Sequence, residues 1–252
     1  MKKINKDKLF SILLSTLSIT MVGSKAIQSK LEQFYPARSP KPVIAQVIDL
    51  NSNLTEEKCV LIKKQADKIL EELNLENVQN KSIAEQKKAA YAISQYIALK
   101  TLYDEEGYEE QKKIESTYDA DINSLYATLC QGRNLDITTS ESTALNYLYQ
   151  QCGLDSKQIT IEKICDGSSV PCDAVLVNFN DGQAKEDRIV NSLISRLYFS
   201  SEPVVETDQV LIPRKTYLEK NIGKHEPYKL TEKAPLILIN QATQTTDQGL
   251  ER

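Results

Sequence analysis

The hydrophobic periodicity of this chain changes once, at Gly153, and that change constrains the fold more than any other feature. Upstream, apolar residues recur at helical spacing. Cys59, Ile62, Ala66, Ile69, Leu70 and Leu73 share one face, and Ala89, Ala90, Ile93, Tyr96 and Ile97, extended to Tyr103, share another. Downstream, "ITIEKIC" (159–165) alternates apolar with polar and "AVLVNF" (174–179) is rich in strand-forming residues. Helices followed by strands, rather than alternating with them, read as a single α+β domain in which a central helix packs on an antiparallel sheet.

Local signals set the element ends. Asn53 with Glu56, Ser82 with Glu85 and Thr138 with Glu141 have capping-box spacing, so three helices are expected to open there. In the third, Ala144, Leu145, Leu148 and Cys152 form the apolar stripe, and Gly153 stands where a helix ends in a left-handed residue. "NDG" (180–182) predicts a tight turn joining the 174–179 strand to a partner over 183–190. "DRIVNSLISRLYF" (187–199) continues as helix, and "VVETDQVLIP" (204–213) reads as a late strand. The charges of alternating sign over 105–119 read as a solvated helical face. After Pro227 little periodicity remains, and the polar 240–252 stretch is expected to be frayed or disordered.

With 252 residues, 40% hydrophobic and 26% charged, the chain can bury one sizeable core. Residues 1–26 differ from the rest. "MKKINKDK" is basic, "LFSILLSTLSITMVG" is apolar, and "SKA" ends in small residues, which is the pattern of a signal peptide or, uncleaved, of an N-terminal anchor. These 26 residues carry a net +4 against −4 for the whole, so the remainder would carry −8. An exported acidic domain is a poor partner for nucleic acid, and any membrane contact is expected through the N-terminal segment alone. Secretion or cell-surface association follows. Residues 27–52, with "YPARSPKPVIAQ", read as a proline-rich extended arm.

The five cysteines are Cys59, Cys130, Cys152, Cys165 and Cys172, an odd number. Cys165 and Cys172 flank "DGSSVP", a loop that a disulfide can close in an oxidising compartment. Cys59 and Cys152 fall on apolar faces as small buried hydrophobes. His225, the one histidine, lies in a polar loop, which excludes a zinc site built from Cys and His. "DADINS" (119–124) opens like a calcium loop but has Ser124 at the sixth position and Cys130 at the twelfth, so calcium is rejected. Neither a metal nor a cofactor is expected.

Three stretches taken together carry a resemblance: "KSIAEQKKAAYAISQYIALKTLYDEE" (81–106), "SLYATLCQGRNLDITTSESTALNYLYQQCGLDS" (124–156) and "DAVLVNFNDGQ" (173–183), with "RLYFSSEPVV" (196–205) after them. This series resembles the bacterial transglutaminase-like (papain-like) superfamily over about residues 81–210. The resemblance implies a nucleophilic cysteine at the start of the central helix, a histidine on the first long strand and an orienting acid on the next. Such a thiolate is activated by the helix N-terminus and the imidazole, and attacks an amide or peptide carbonyl. Carried over residue by residue, Thr138 falls at the nucleophile and Asp173 at the histidine, with Ala174 kept and Val175 and Leu176 replacing the family's tryptophan and asparagine. The orienting position falls at Asp187 or Arg188.

Nucleophile and base are therefore both replaced, and no catalytic residue is assigned. The expected division is a signal peptide or anchor (1–26), the arm (27–52), a transglutaminase-like domain (53–210) and a partly disordered C-terminal extension (211–252). The expected function is that of an exported, catalytically inactive module binding a protein or peptide partner of the cell envelope or extracellular space. Two alternatives stand beside it: a divergent cysteine acyl-transferase or peptidase pairing Cys130 or Cys152 with His225, and a purely structural envelope protein.

Overall fold

A computed structural model describes residues 55–238, apart from 115, 137, 166–167, 203 and 223–227. The segments read as signal peptide and arm, the cap at Asn53, His225 and the polar terminus lie outside the described residues.

Among the described residues, five α-helices precede the sheet. α1 (Thr55–Glu72) buries Cys59, Ile62, Ala66, Ile69 and Leu70. α2 (Ile83–Lys100) opens with the capping box foreseen at Ser82 and Glu85, and its buried stripe includes Ala89, Ala90, Ile93 and Ile97. Tyr96 is half-buried, and Tyr103 is exposed in a two-residue strand beyond the helix. That strand, β1 (Leu102–Tyr103), pairs parallel with β2 (Arg133–Asn134). The charged stretch after it is two helices, α3 (Glu105–Gln111) and α4 (Thr117–Tyr126), each with its own side-chain cap, Asp104 and Ser116. "DADINS" lies inside α4 as regular helix. A π-helical turn (Ala127–Gln131) ends on Gly132 at φ 67° and leads through β2 into α5 (Thr139–Gln151).

α5 ends as its sequence predicts. Gly153 adopts φ 90°, the Leu154 amide donates to the Tyr149 carbonyl at 2.9 Å and the Gly153 amide to that of Gln150 at 3.0 Å, the paired bonds of a Schellman cap. The chain then enters the sheet through β3 (Asp155–Cys165), β4 (Ser168–Asn180) and β5 (Lys185–Val190). The turn between β4 and β5 has Gly182 at φ 85° and the Asp181 carboxylate accepting the amides of Gln183 and Ala184. With β6 (Ile212–Pro213) and β7 (Tyr228–Glu232), the sheet is antiparallel throughout, in the order β6-β5-β4-β3-β7. β4 is central, which explains its unbroken apolar run. Val175, Val177 and Phe179 pack with the helices on one face, while Ala174 and Leu176 join Ile159, Ile161, Ile189 and Tyr217 on the other.

The structure corrects three boundaries. The region after β5 is a helix, α6 (Ser192–Ser201), but its first four expected residues belong to β5. "VVETDQVLIP" is not a strand. Glu206 and Gln209 form a capping box that winds a short helix, α7 (Thr207–Val210), and only β6 (Ile212–Pro213) pairs with the sheet. The segment from 211 onward is also no separate extension. β6, α8 (Arg214–Asn221) and β7 (Tyr228–Glu232) supply both edge strands and a covering helix, so a domain end at 210 cuts through the sheet.

The expected disulfide is corrected as well. In the β3–β4 ladder Cys172 stands opposite Ile161 and Cys165 opposite Ser168. Four ladder positions at ~3.3 Å per residue separate them by roughly 13 Å, beyond the ~7 Å that two bridged Cα atoms reach. Cys172 is a free thiol.

Candidate functional site

The first turn of α5 is held by Asp136 rather than by Thr138. The Asp136 carboxylate accepts the backbone amides of Thr138 and Thr139, both at 2.9 Å, and the Thr138 hydroxyl at 3.2 Å. Thr138 makes no side-chain cap, and Glu141, expected to complete its capping box, turns into the protein instead. Its carboxylate accepts from the Thr101 hydroxyl at 3.0 Å, from the Asn134 amide at 2.8 Å and from the Arg196 guanidinium. A buried cation is a stronger partner than one backbone amide, so tertiary structure takes Glu141 away from the helix end.

Freed of capping, the next residue reaches the sheet. The Thr139 hydroxyl donates to Asp173 Oδ2 at 2.7 Å, the Thr160 hydroxyl donates to Asp173 Oδ1 at 2.6 Å, and Lys233 Nζ donates to Oδ2 at 3.0 Å. Thr160 is the cross-strand neighbour of Asp173 on β3, and Lys233 follows directly on β7. Burial pushes the Asp173 carboxyl upward, but the two hydroxyls together with the charge and hydrogen bond of Lys233 outweigh it and hold the group below the ordinary carboxylate range. On α4, the half-buried Asp121 goes the other way. Burial raises its pKa, the Asp173 charge adds to the rise, and Lys233 opposes it. The site thus sets a carboxylate of lowered pKa on an ammonium, beside a second carboxyl whose pKa is raised.

One buried group at this site lacks a partner. Gln158, on the same face of β3 as Thr160, lies 3.3 Å from the Thr143 hydroxyl through Oε1, and its Nε2 has no hydrogen-bond partner among the described residues. Thr143 gives its own proton to the Thr139 carbonyl at 2.8 Å, so either orientation of the Gln158 amide leaves one of its ends unpaired. An orphaned buried polar atom is uncommon in a structural cluster.

The sequence-derived positions fall out unevenly. The start of α5 and Asp173 do meet, through Thr139 rather than Thr138. Asp187 and Arg188 do not reach them: they stand opposite Asn178 and Val177, roughly 13–16 Å along β4 at ~3.3 Å per residue. Asp187 pairs with Arg214, and Arg188 with Glu186 and Asp208. The residue level with the Asp173 end of β4 is instead Asn191, whose amide donates to Cys172 Sγ at 3.1 Å and to the Tyr217 hydroxyl at 3.2 Å, on the opposite face of the sheet. Lys233, Asp121 and Gln158 were not anticipated. Thr160 was visible only as a polar position in "ITIEKIC".

Three of the thiols lie in the helical core, and Cys172, next to Asp173 in sequence, faces the other side of the sheet. Cys59, Cys130 and Cys152 are buried in the helical core, and burial pushes Cys130 up to about 12 and Cys152 up to about 11. Among the described residues no group of three His, Cys, Asp or Glu side chains is placed to hold a metal ion, and no helix is long and apolar enough to cross a membrane. No protein-family model, curated protein or solved structure matches this chain.

Proposed function

We propose that this chain is an exported, non-catalytic module of transglutaminase-like architecture that binds a peptide or protein partner at the N-terminal end of α5. The observation that carries the reading is the Thr139–Asp173 contact. A helix start meets a strand residue there, as thiol and imidazole meet in that superfamily, but with a hydroxyl and a carboxylate in their places. A threonine hydroxyl near neutral pH is inert without a base. Asp173 is a poor one, because its lone pairs are committed to two hydroxyls and an ammonium and its pKa is depressed. A relocated cysteine nucleophile finds little support, since the core thiols are held protonated.

Two measurements test the proposal. The purified chain, incubated with an amine donor and a glutamine acceptor and separately with peptide substrates, is expected to give no product above buffer. Turnover that Asp173→Asn abolishes would overturn the reading. Iodoacetamide at neutral pH is expected to label Cys130 and Cys152 far more slowly than free cysteine. A thiol labelled faster than free cysteine would instead establish the divergent-enzyme alternative.

A further inference from the structure

Residues 228–238 lie across the candidate site as a strap, and most of them are exposed. β7 pairs only with Ile159–Lys163 of β3, and four of its five residues are exposed. Leu230 is its one side chain packed on the sheet's core, so this edge strand gains ladder hydrogen bonds but little apolar burial, which places it at the weak end of local stability. Just beyond it the Lys233 amide donates to the Gln158 carbonyl at 2.9 Å while its ammonium rests on Asp173. Leu236 and Leu238 touch the helical core, and the Tyr118 hydroxyl donates to the Ile237 carbonyl at 3.3 Å, yet the Ile237 side chain is 70% exposed. Beside Leu238 a cavity of about 290 Å³ is lined by the α1 residues Cys59, Val60, Lys63, Lys64 and Asp67.

The strap therefore meets a strand edge, a buried carboxylate and a partly apolar cavity. We propose that it is an intramolecular stand-in, and that the partner of this site is an extended peptide carrying a lysine or arginine, which replaces β7 on the edge of β3 and sets its cation on Asp173. This rests on the reading of the chain as a peptide-binding module and names the chemistry of the peptide. Strand addition supplies main-chain hydrogen bonds that do not depend on sequence, and the charged seat supplies selectivity. The seat suits one cation: the hydroxyls of Thr139 and Thr160 orient both Asp173 oxygens. The unpartnered end of Gln158 lies on the same face of β3 and offers a further polar contact.

The test uses the full-length chain and its Lys233→Gln variant, with a fluorescein-labelled peptide of the strap's own sequence, YKLTEKAPLIL, and a second peptide with glutamine at its central lysine. A charge-assisted hydrogen bond lost from a half-buried site is about tenfold or more in affinity. The lysine peptide is expected to bind the K233Q chain about tenfold tighter than the wild type, whose own strap competes, and about tenfold tighter than the glutamine peptide does. Equal binding to both proteins, or of both peptides, overturns the proposal. Hydrogen exchange keeps the proposal testable should K233Q fold poorly: in the wild type the β7 amides are expected to exchange much faster than those of Val175 and Val177, and exchange of all of them only with global unfolding overturns it. A mass that doubles in light scattering, with no peptide bound, assigns the seat to a second copy and also overturns it. Turnover in the amine-transfer assay alongside peptide binding sinks the non-catalytic reading alone, whereas absent binding without turnover sinks only the strap.

Discussion

Two polar clusters grow from the first turn of α5, at Thr139 and Glu141, and they have opposite characters. Glu141 is 1% exposed and its partner Arg196 is 12% exposed. Together with Thr101 and Asn134 they tie α2, β2, α5 and α6 into one closed network, in which Arg196 also donates to the Thr101 carbonyl at 2.7 Å. Asp173 is almost as buried, at 10%, but its ammonium partner Lys233 is 33% exposed and comes from an edge segment. The first cluster joins partners from packed elements, while the second depends on a partly exposed lysine from the sheet's edge segment. One helix end therefore serves both as a rigid anchor and as an accessible seat, and burial of the cation decides which.

The sharpest way to break this comparison is to remove a charge from the closed network. Glu141→Ala and Arg196→Ala each leave a buried ion without its counter-charge, at a cost of about 3–5 kcal/mol. Urea unfolding of the single variants and of the double variant measures it. The double variant is expected to lose less than the sum of the singles, because each single change already ends the same interaction. Single losses below about 1 kcal/mol, the range of an exposed ion pair, would put both clusters in one class.

A smaller loss is expected at the open seat. Asp173→Ala takes the acceptor from two hydroxyls and an ammonium, but water can reach the half-exposed lysine, so about 1–3 kcal/mol is expected rather than the larger figure. The pH dependence carries a sign. The folded-state pKa of Asp173 is depressed, so its contribution is present above the unfolded value near 3.9 and is lost as pH falls through the folded value. The gap between wild type and Asp173→Ala is therefore expected to be full at neutral pH and to close in strong acid. A gap unchanged by acid would mean that the site is held by packing rather than by charge.

The same contrast governs what the sequence reveals. The Schellman cap at Gly153, the turn at Gly182 and the capping box at Ser82 are decided by residues within a few positions of one another, and all three are where the pattern places them. Glu141 has the spacing of a capping residue, yet its partner Arg196 lies 55 residues away, and no local pattern announces that competition. The capping pair Glu206 and Gln209 was present in the sequence but was outweighed by the β-branched residues around it. β7 alternates only from Tyr228 to Thr231, too short a run to stand out, and four of its five residues are exposed. Lys233 reaches Asp173 across 60 residues through a register that only the folded sheet defines. Local chemistry was therefore legible at the ends of elements, and the site was not, because most of it is assembled from contacts between distant strands.

Asp121 gives the smallest effect and the most selective test of the open seat. Its folded-state pKa is raised, first by burial, then by the Asp173 charge, against the opposing pull of Lys233. The sign is opposite to that of Asp173: the folded protein holds this proton more tightly than the unfolded chain, so the group penalises folding once pH rises through its folded value, and the penalty is absent below the unfolded one. Asp121→Asn removes the penalty and is expected to raise stability at neutral pH by a few tenths of a kcal/mol, about the size of one weak, partly screened charge interaction, with no gain in acid. Urea midpoints at pH 7 and in strong acid measure this difference. If Asp121→Asn instead weakens the fold at neutral pH as much as Asp173→Ala does, Asp121 is itself a holder of Lys233. The seat would then be a closed two-carboxylate clamp like the Glu141 network, and the distinction between anchor and seat would fail.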